Sequence, residues 1–188
     1  MRKTLATLTV AMVVLLSATV RAEWYEVYVN LKPQQYDQWC HAASLQMITD
    51  WHNRYKAAPA PLSQCSIAMK EWNSTTCPNK PAYTSELCVG LRNMGYTCSY
   101  AQDWINATNA IYQFKNYGPF VAQIIWRSGG GHYVVAKAAD NAGSQYIKVL
   151  DPWPPGTGAT TNWMTYSYFR DNYQNDGDWK YSVFSIRR

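Results

Sequence analysis

The stretch that decides the fold is Gln34-Gln-Tyr-Asp-Gln-Trp-Cys40-His-Ala-Ala43. Good helix formers and apolar side chains follow Cys40 as far as about Asn53, so we predict a helix that starts at Cys40. Unpaired N–H groups and the positive end of the dipole stabilise a thiolate at a helix start. Cys40 is therefore a candidate nucleophile. The side-chain amide of Gln34 and the backbone N–H of Cys40 are candidate donors to an oxyanion.

A histidine and an aspartate far along the chain complete a candidate catalytic set. His132 opens a predicted strand after three glycines, and Asp151 ends the next predicted strand. Adjacent antiparallel strands can hold the two side by side, so that the carboxylate orients the imidazole and the imidazole faces the Cys40 thiolate. Trp39 and Trp153 flank these candidates in sequence, and we predict that both line a substrate groove.

Residues 1–22 are typical of a secretory signal peptide. Two basic residues precede an apolar run over Leu5–Val20, and Ala22 suits a cleavage site. The alternative is a membrane anchor, but the run is barely long enough to span a bilayer. We therefore expect a signal peptide at 1–22, one domain at 23–188, and a protein exported to the periplasm or beyond, without membrane contact after cleavage.

The charge of the chain gives no support to nucleic-acid binding. The net charge is +5, and no block of like charge occurs. Removal of the three basic residues in 1–22 lowers the charge from +5 to about +2.

Five cysteines in an exported chain predict two disulfides and one free thiol. Cys65, Cys77, Cys88 and Cys98 lie close together in sequence, whereas Cys40 stands apart. Three pairings of the four are possible, and we favour Cys65–Cys77 with Cys88–Cys98 because both close short loops. The absence of a CxxC motif argues against structural zinc, so no metal is expected.

The rest of the pattern predicts an α+β fold with a helical N-terminal layer, carrying Cys40, packed on a C-terminal antiparallel sheet. A first strand is predicted over 23–31. Helices are predicted over 40–53, 63–72, 85–94 and 107–116, with Ser63 and Ser85 as N-caps. Strands follow at 120–126, 132–139, 146–150 and 180–186, with one more short helix over 164–172.

Three segments together resemble the papain-like cysteine peptidases. Residues 34–43 are similar to the Q-x5-C segment of these peptidases. Residues 131–135 are similar to their G-H-x-V-V strand, and residues 149–153 are similar to their strand end in D-P-W. The likeness is to the small bacterial secreted branch, which includes effector peptidases of plant pathogens and is similar to bacteriocin-processing peptidases. His41 departs from that branch, which carries an aromatic residue there, and we interpret it as a packing residue. Only about 17 residues separate the predicted cleavage site from Cys40, so we expect no inhibitory propeptide there.

The resemblance implies a role for each candidate residue. Cys40 would be the nucleophile, His132 the general base and acid, Asp151 the orienting residue and Gln34 the oxyanion donor. It implies a monomeric secreted cysteine endopeptidase that acts on protein or peptide substrates through a thioester, with no cofactor. The same triad would also serve an acyltransferase, a deamidase or a peptidoglycan amidase. A non-catalytic binding module is the alternative of another class.

Overall fold

The computed structural model of the protein describes residues 22–188, so the predicted signal peptide lies outside the described residues except for Ala22. The described chain forms five helices and eight strands. The helices are α1 (Cys40–Lys56), α2 (Gln64–Trp72), α3 (Thr84–Asn93), α4 (Ala107–Tyr117) and α5 (Tyr166–Asn172). The strands are β1 (Trp24–Glu26), β2 (Thr97–Ala101), β3 (Phe120–Trp126), β4 (Gly131–Asp140), β5 (Tyr146–Asp151), β6 (Ala159–Thr160), β7 (Met164–Thr165) and β8 (Gly177–Arg187).

Helix boundaries follow local capping chemistry. Helix α1 begins at Cys40, as predicted, and runs to Lys56, where Ala57 adopts the left-handed conformation. The side chain of Ser63 accepts a hydrogen bond from the Ser66 N–H and caps α2. Helix α3 starts one residue earlier than Ser85, so the predicted Ser85 cap is wrong.

The Tyr83 backbone N–H instead donates to the Glu86 carboxylate at 2.6 Å, which ties the start of α3 to its first turn. The side chain of Asn106 likewise accepts from the Asn109 N–H and caps α4.

The strands form one antiparallel sheet in the order β2-β8-β3-β4-β5-β6, with β1 on β4 and β7 on β5. Strands β3 and β4 are joined by the glycine-rich turn, and their register places Ile124 opposite His132. Strand β5 pairs with β4 along Val135–Asp140. This antiparallel pairing brings the first residues of β4 and the last residues of β5 to the same end of the sheet, which is the geometry that the candidate site requires.

Several elements differ from the sequence prediction. Strand β1 covers three residues rather than the nine predicted, and β2, β6 and β7 were not predicted. These strands are two to five residues long, and a segment of that length carries almost no periodic signal. The α+β prediction, with helices before strands, is confirmed.

The core lies between α1 and the sheet. Leu45, Met47 and Ile48 of α1 are fully buried, and so are Val134 and Val135 of β4. Burial of one such side chain contributes about 1.5–3 kcal/mol, so this interface holds α1 rigidly against β4. Within residues 22–188, no helix is both long and apolar enough to cross a membrane.

Candidate active site

The nucleophile candidate lies where helix α1 meets the sheet. Cys40 is the first residue of α1, and helix geometry leaves its backbone N–H without an intrahelical acceptor. His132 is the second residue of β4 and Asp151 the last of β5. All three line one cleft of about 1270 Å³. The structure therefore brings together three residues that lie up to 111 positions apart in sequence.

His132 and Asp151 form a close pair. The distance from His132 Nε2 to Asp151 Oδ1 is 2.6 Å. The other ring nitrogen is left for Cys40, and the imidazole of His132 and the Tyr133 backbone both lower the pKa of the Cys40 thiol. This is the order of contacts that a Cys-His-Asp triad requires.

Three further donors fix the Asp151 carboxylate. The Trp153 backbone N–H donates to Oδ1 at 2.8 Å. The Tyr173 hydroxyl and the Gln174 amide donate to Oδ2 at 2.7 and 3.1 Å. A carboxylate with this many donors is held in one orientation and in its charged form. Tyr173 and Gln174 carry no motif, and sequence reasoning missed both.

Burial and contacts within the triad shift the pKa of each of its residues in opposite directions. Burial alone raises the pKa of Cys40, but the hydrogen bond with His132 and the positive imidazolium bring that pKa below its ordinary value. Burial lowers the pKa of His132, yet the Asp151 carboxylate and the Cys40 sulfur outweigh it and raise that pKa to about 10. Burial raises the pKa of Asp151, and the bond with His132 lowers it overall. These shifts favour a thiolate–imidazolium pair beside a carboxylate.

Trp126 shields this pair from solvent. Its ring is stacked on His132 at 6.0 Å between centroids and on Tyr173 at 6.3 Å. An apolar ring beside an ion pair lowers the local dielectric and strengthens the attraction. Trp126 is the last residue of β3, five residues before the predicted Gly-His motif. Only the pairing of β3 with β4 shows that the Trp126 ring lies next to the His132 imidazole.

The cleft has apolar walls and a polar floor. Tyr83, Tyr100 and Trp153 contribute exposed aromatic surface to it. In the floor, the Thr84 hydroxyl donates to the Gln123 side-chain oxygen. The Gln123 side chain is 9% exposed, and its Nε2 has no partner among residues 22–188. That nitrogen is therefore available to an acceptor in the cleft.

The structure places Gln34 beneath the cleft rather than along it. The side chain is fully buried, and its Nε2 donates to the carbonyls of Tyr36 and Asp37 at 2.8 and 2.9 Å. These bonds hold the loop that leads into α1. The oxyanion role of Gln34 stays a prediction. Gln38 has an exposed side chain that lines the cleft, and the sequence prediction did not single it out.

The two tryptophans predicted for substrate binding have different surroundings. Trp153 is 47% exposed and lines the cleft. Trp39 is only 1% exposed, and its Nε1 donates to the Pro78 carbonyl at 2.9 Å. The prediction that Trp39 contacts substrate is wrong, because the aromatic ring before Cys40 packs into the core.

The remaining cysteines pair away from the cleft. The structure pairs Cys65 with Cys77 and Cys88 with Cys98, and leaves Cys40 free. This is the favoured arrangement of the three. Among residues 22–188, no group of three or more His, Cys, Asp or Glu side chains is arranged to hold a metal ion.

The comparisons with known proteins agree with this geometry. The family described as papain-like cysteine protease AvrRpt2 matches residues 21–174. The chain belongs to this family, which confirms the predicted resemblance and the predicted cysteine endopeptidase activity. A comparison with curated protein sequences finds no match.

Solved structures share the fold at low sequence identity. The peptidase domain of Streptococcus ComA, a bi-functional ABC transporter involved in quorum sensing, is 14% identical, with 81% of this chain and 93% of that chain covered and a TM-score of 0.56. A double glycine motif protease from an AMS/PCAT transporter, solved with its leader peptide, is 15% identical, with 84% and 91% covered and a TM-score of 0.51. Xylellain, a cysteine protease from Xylella fastidiosa, is 16% identical, with 85% and 86% covered, and its TM-score of 0.48 is too low to show a shared fold.

Proposed function

We propose that this protease cuts peptide bonds with Cys40 as nucleophile, His132 as general base and acid, and Asp151 as the residue that orients His132. The single observation that carries the proposal is that the His132–Asp151 pair, closed at 2.6 Å, lines the same cleft as Cys40, with the imidazole near enough to lower the pKa of the Cys40 thiol. The geometry of nucleophile, base and orienting group identifies such a triad independently of sequence position.

The reaction follows from these contacts. The Cys40 thiolate attacks the substrate carbonyl carbon, and the carbonyl oxygen gains the negative charge. The Cys40 backbone N–H at the start of α1 is the first donor to that oxygen. The second is a side-chain amide of the preceding loop: that of Gln38, which lines the cleft, or that of Gln34 once its Nε2 leaves the carbonyls of Tyr36 and Asp37. His132 then gives its proton to the leaving amine. A water, deprotonated by His132, hydrolyses the thioester and releases Cys40.

The substrate is a protein or peptide in an extended conformation. The cleft has a volume of about 1270 Å³, and the aromatic rings of Tyr83, Tyr100 and Trp153 in its lining offer apolar contacts to substrate side chains. The free Nε2 of Gln123 is suited to a substrate carbonyl beside His132. The relative solved with a leader peptide is a protease of this fold that holds a peptide, and we extend that binding mode to this chain.

The protein acts outside the cytoplasm. Residues 1–22 have the pattern of a signal peptide, and the two cysteine pairs of the domain suit an oxidising compartment. Expression of the full chain in a bacterium, followed by fractionation and N-terminal sequencing, tests this point. We expect a mature protein that begins at Glu23; an uncleaved cytoplasmic protein would contradict it.

A digest of a proteome-derived peptide library tests the triad. Wild type and Cys40→Ala are incubated with the same library, and new termini are read by mass spectrometry. We expect internal cleavages with wild type and none with the variant, whose circular dichroism stays native. Cleavage by both proteins, or release of ammonia from the library peptides instead of new termini, would overturn the proposal.

A further inference from the structure

A second histidine–carboxylate pair lies directly behind the nucleophile. His41 follows Cys40 in α1, and its side chain is fully buried. Its Nδ1 is 2.7 Å from Oε2 of Glu71 in α2, and its Nε2 is 3.1 Å from the Lys80 carbonyl. The Glu71 side chain is enclosed too, against Gly90 of α3, where a Cβ would come within 2.5 Å of the Glu71 Cγ. The packing of three helices therefore accommodates this pair.

The contacts of His41 determine how many protons the pair holds. A backbone carbonyl can only accept, so Nε2 carries a hydrogen that it donates to Lys80. Nδ1 faces a carboxyl oxygen at 2.7 Å, and that contact is attractive only with a second proton between the two atoms. The pair thus holds a proton that a neutral imidazole beside a carboxylate would lack.

The protonation preferences of both groups agree with this count. Burial lowers the pKa of His41, but the bond with Glu71 and the nearby Cys40 thiolate outweigh it and raise that pKa. Burial raises the pKa of Glu71 more than His41 lowers it. Loss of the shared proton would leave a net negative charge that is buried and close to the Cys40 thiolate.

His41 also connects the nucleophile to the wall of the cleft. Lys80, whose carbonyl accepts from His41, is the first of six consecutive residues, 80–85, that line the cleft. The Lys80 ammonium itself lies over the Trp72 ring at 3.6 Å. The other ionisable groups that act on the pair or on Cys40 are His132 and Tyr133 of β4 and Glu86 of α3.

We propose that His41 and Glu71 are positioning residues for the nucleophile, which fix Cys40 against the cleft wall and support its thiolate with a protonated imidazole. The proposal rests on Cys40 being the nucleophile. Failure of that premise would appear as peptide cleavage by Cys40→Ala, whereas failure of this proposal appears only in the variants below.

Glu71→Gln separates charge from packing. The Gln amide can donate to Nδ1 of a neutral His41, and His41 still donates to Lys80, so every contact is kept while both charges of the pair are lost. The imidazolium is the one of the two that acts on Cys40, so its loss dominates. We expect the acid limb of Cys40 alkylation by iodoacetamide to move to higher pH by about half a unit or more. Alkylation on that limb should slow about threefold, with the melting temperature within a few degrees of wild type.

His41→Phe removes both charge and contacts and keeps a flat ring. We expect the same shift of the acid limb, and in addition a lower kcat on a peptide substrate with KM little changed, because the wall and the nucleophile lose their common anchor. His52→Phe is the matched control. His52 is a buried histidine at the far end of α1 whose Nε2 has no partner within residues 22–188, and it lies outside the cleft.

The outcomes are distinct. A shifted acid limb in Glu71→Gln and His41→Phe, with a wild-type limb in His52→Phe, supports the proposal. Lower melting temperatures with a wild-type alkylation profile in both variants would show that the pair only stabilises the fold, and would overturn it. If His41→Phe does not fold, Glu71→Gln alone decides.

Discussion

The two buried histidine–carboxylate pairs have nearly the same nitrogen–oxygen distance and different surroundings. His132 and Asp151 are 2.6 Å apart at the edge of the cleft, and His41 and Glu71 are 2.7 Å apart behind it. His132 lines the cleft near the Cys40 sulfur, whereas the two ring nitrogens of His41 lie against oxygen atoms of Glu71 and Lys80. A close imidazole–carboxylate pair is therefore not by itself a catalytic site. A catalytic site also needs a reactive atom and room for substrate on the other side of the imidazole ring.

Replacement of each histidine should reveal the largest difference in activity between the two pairs. We expect His132→Ala to lower kcat by at least about 10³-fold, because the thiolate loses its counter-ion and the leaving amine its acid. His41→Phe should retain measurable turnover. Steady-state hydrolysis of one fluorogenic peptide by both variants tests this. Equal losses would mean that the two pairs do not differ in function.

Neutralising Asp151 should change the pH dependence as well as the rate. Burial lowers the pKa of His132, and the Asp151 carboxylate is the first of the groups that outweigh burial and raise this pKa to about 10. In wild type, activity should rise as pH passes the lowered pKa of Cys40 and fall as pH approaches that of His132. Asp151→Asn should lower kcat by about 10²- to 10⁴-fold. It should also move the alkaline limb to lower pH, because a less supported imidazolium loses its proton sooner.

The control for Asp151→Asn is Glu71→Gln, for which we expect a change on the acid limb and little change in kcat. An unchanged alkaline limb in Asp151→Asn would show that the carboxylate does not set the protonation of His132.

Trp126 distinguishes the surroundings of the two pairs, since it stacks on His132 and not on His41. Trp126→Ala should admit water to the ion pair and lower kcat about tenfold. Trp126→Phe should recover most of the activity because it restores an apolar ring. Single-turnover kinetics separate this effect on chemistry from any effect on binding. Full activity in Trp126→Ala would exclude shielding.

The polar floor of the cleft should matter for binding more than for chemistry. Gln123→Leu keeps the approximate shape and removes the free Nε2, so we expect KM to rise about 3- to 10-fold with kcat nearly unchanged. Thr84→Val, which removes the hydroxyl that orients the amide, should give a smaller rise. Initial rates over a range of peptide concentrations provide both constants. A fall in kcat alone would assign Gln123 to the reaction instead.

The two tryptophans next to the triad should give the smallest and most opposed effects. Trp153→Ala should raise KM by about two- to fivefold and leave the melting temperature unchanged, because the ring is half exposed in the cleft. Trp39→Phe should lower the melting temperature and leave KM unchanged, since its indole donates to Pro78 in the core. Calorimetry and initial rates test the contrast. A KM effect at Trp39 would place that ring against substrate.

The sequence carried the parts of the site whose signal is local. A helix that starts at Cys40 follows from helix propensity, and the glycines before His132 and the proline after Asp151 mark strand ends. The cysteine spacing favoured the observed pairing. These features depend on neighbours within a few positions, which is what pattern reasoning can use.

The parts that sequence missed depend on long-range packing. Tyr173 and Gln174 reach Asp151 only because α5 and β8 fold back on β5, and Glu71 meets His41 only because α2 packs on α1. Trp39 was misassigned for the same reason. Its neighbour Cys40 faces the cleft, but adjacent residues on a helix end point in different directions, and the indole turns inward.

Every role assigned to the site residues depends on Cys40 being a thiolate paired with His132 in the resting protein. The most direct test is the rate of Cys40 alkylation as a function of pH in the native protein, compared with a short unfolded peptide of the same local sequence. We predict that the native thiol becomes reactive at clearly lower pH than the peptide thiol, and that His132→Ala abolishes the difference. Identical titration of protein and peptide, or a Cys40 sulfur found in a disulfide, would contradict the account.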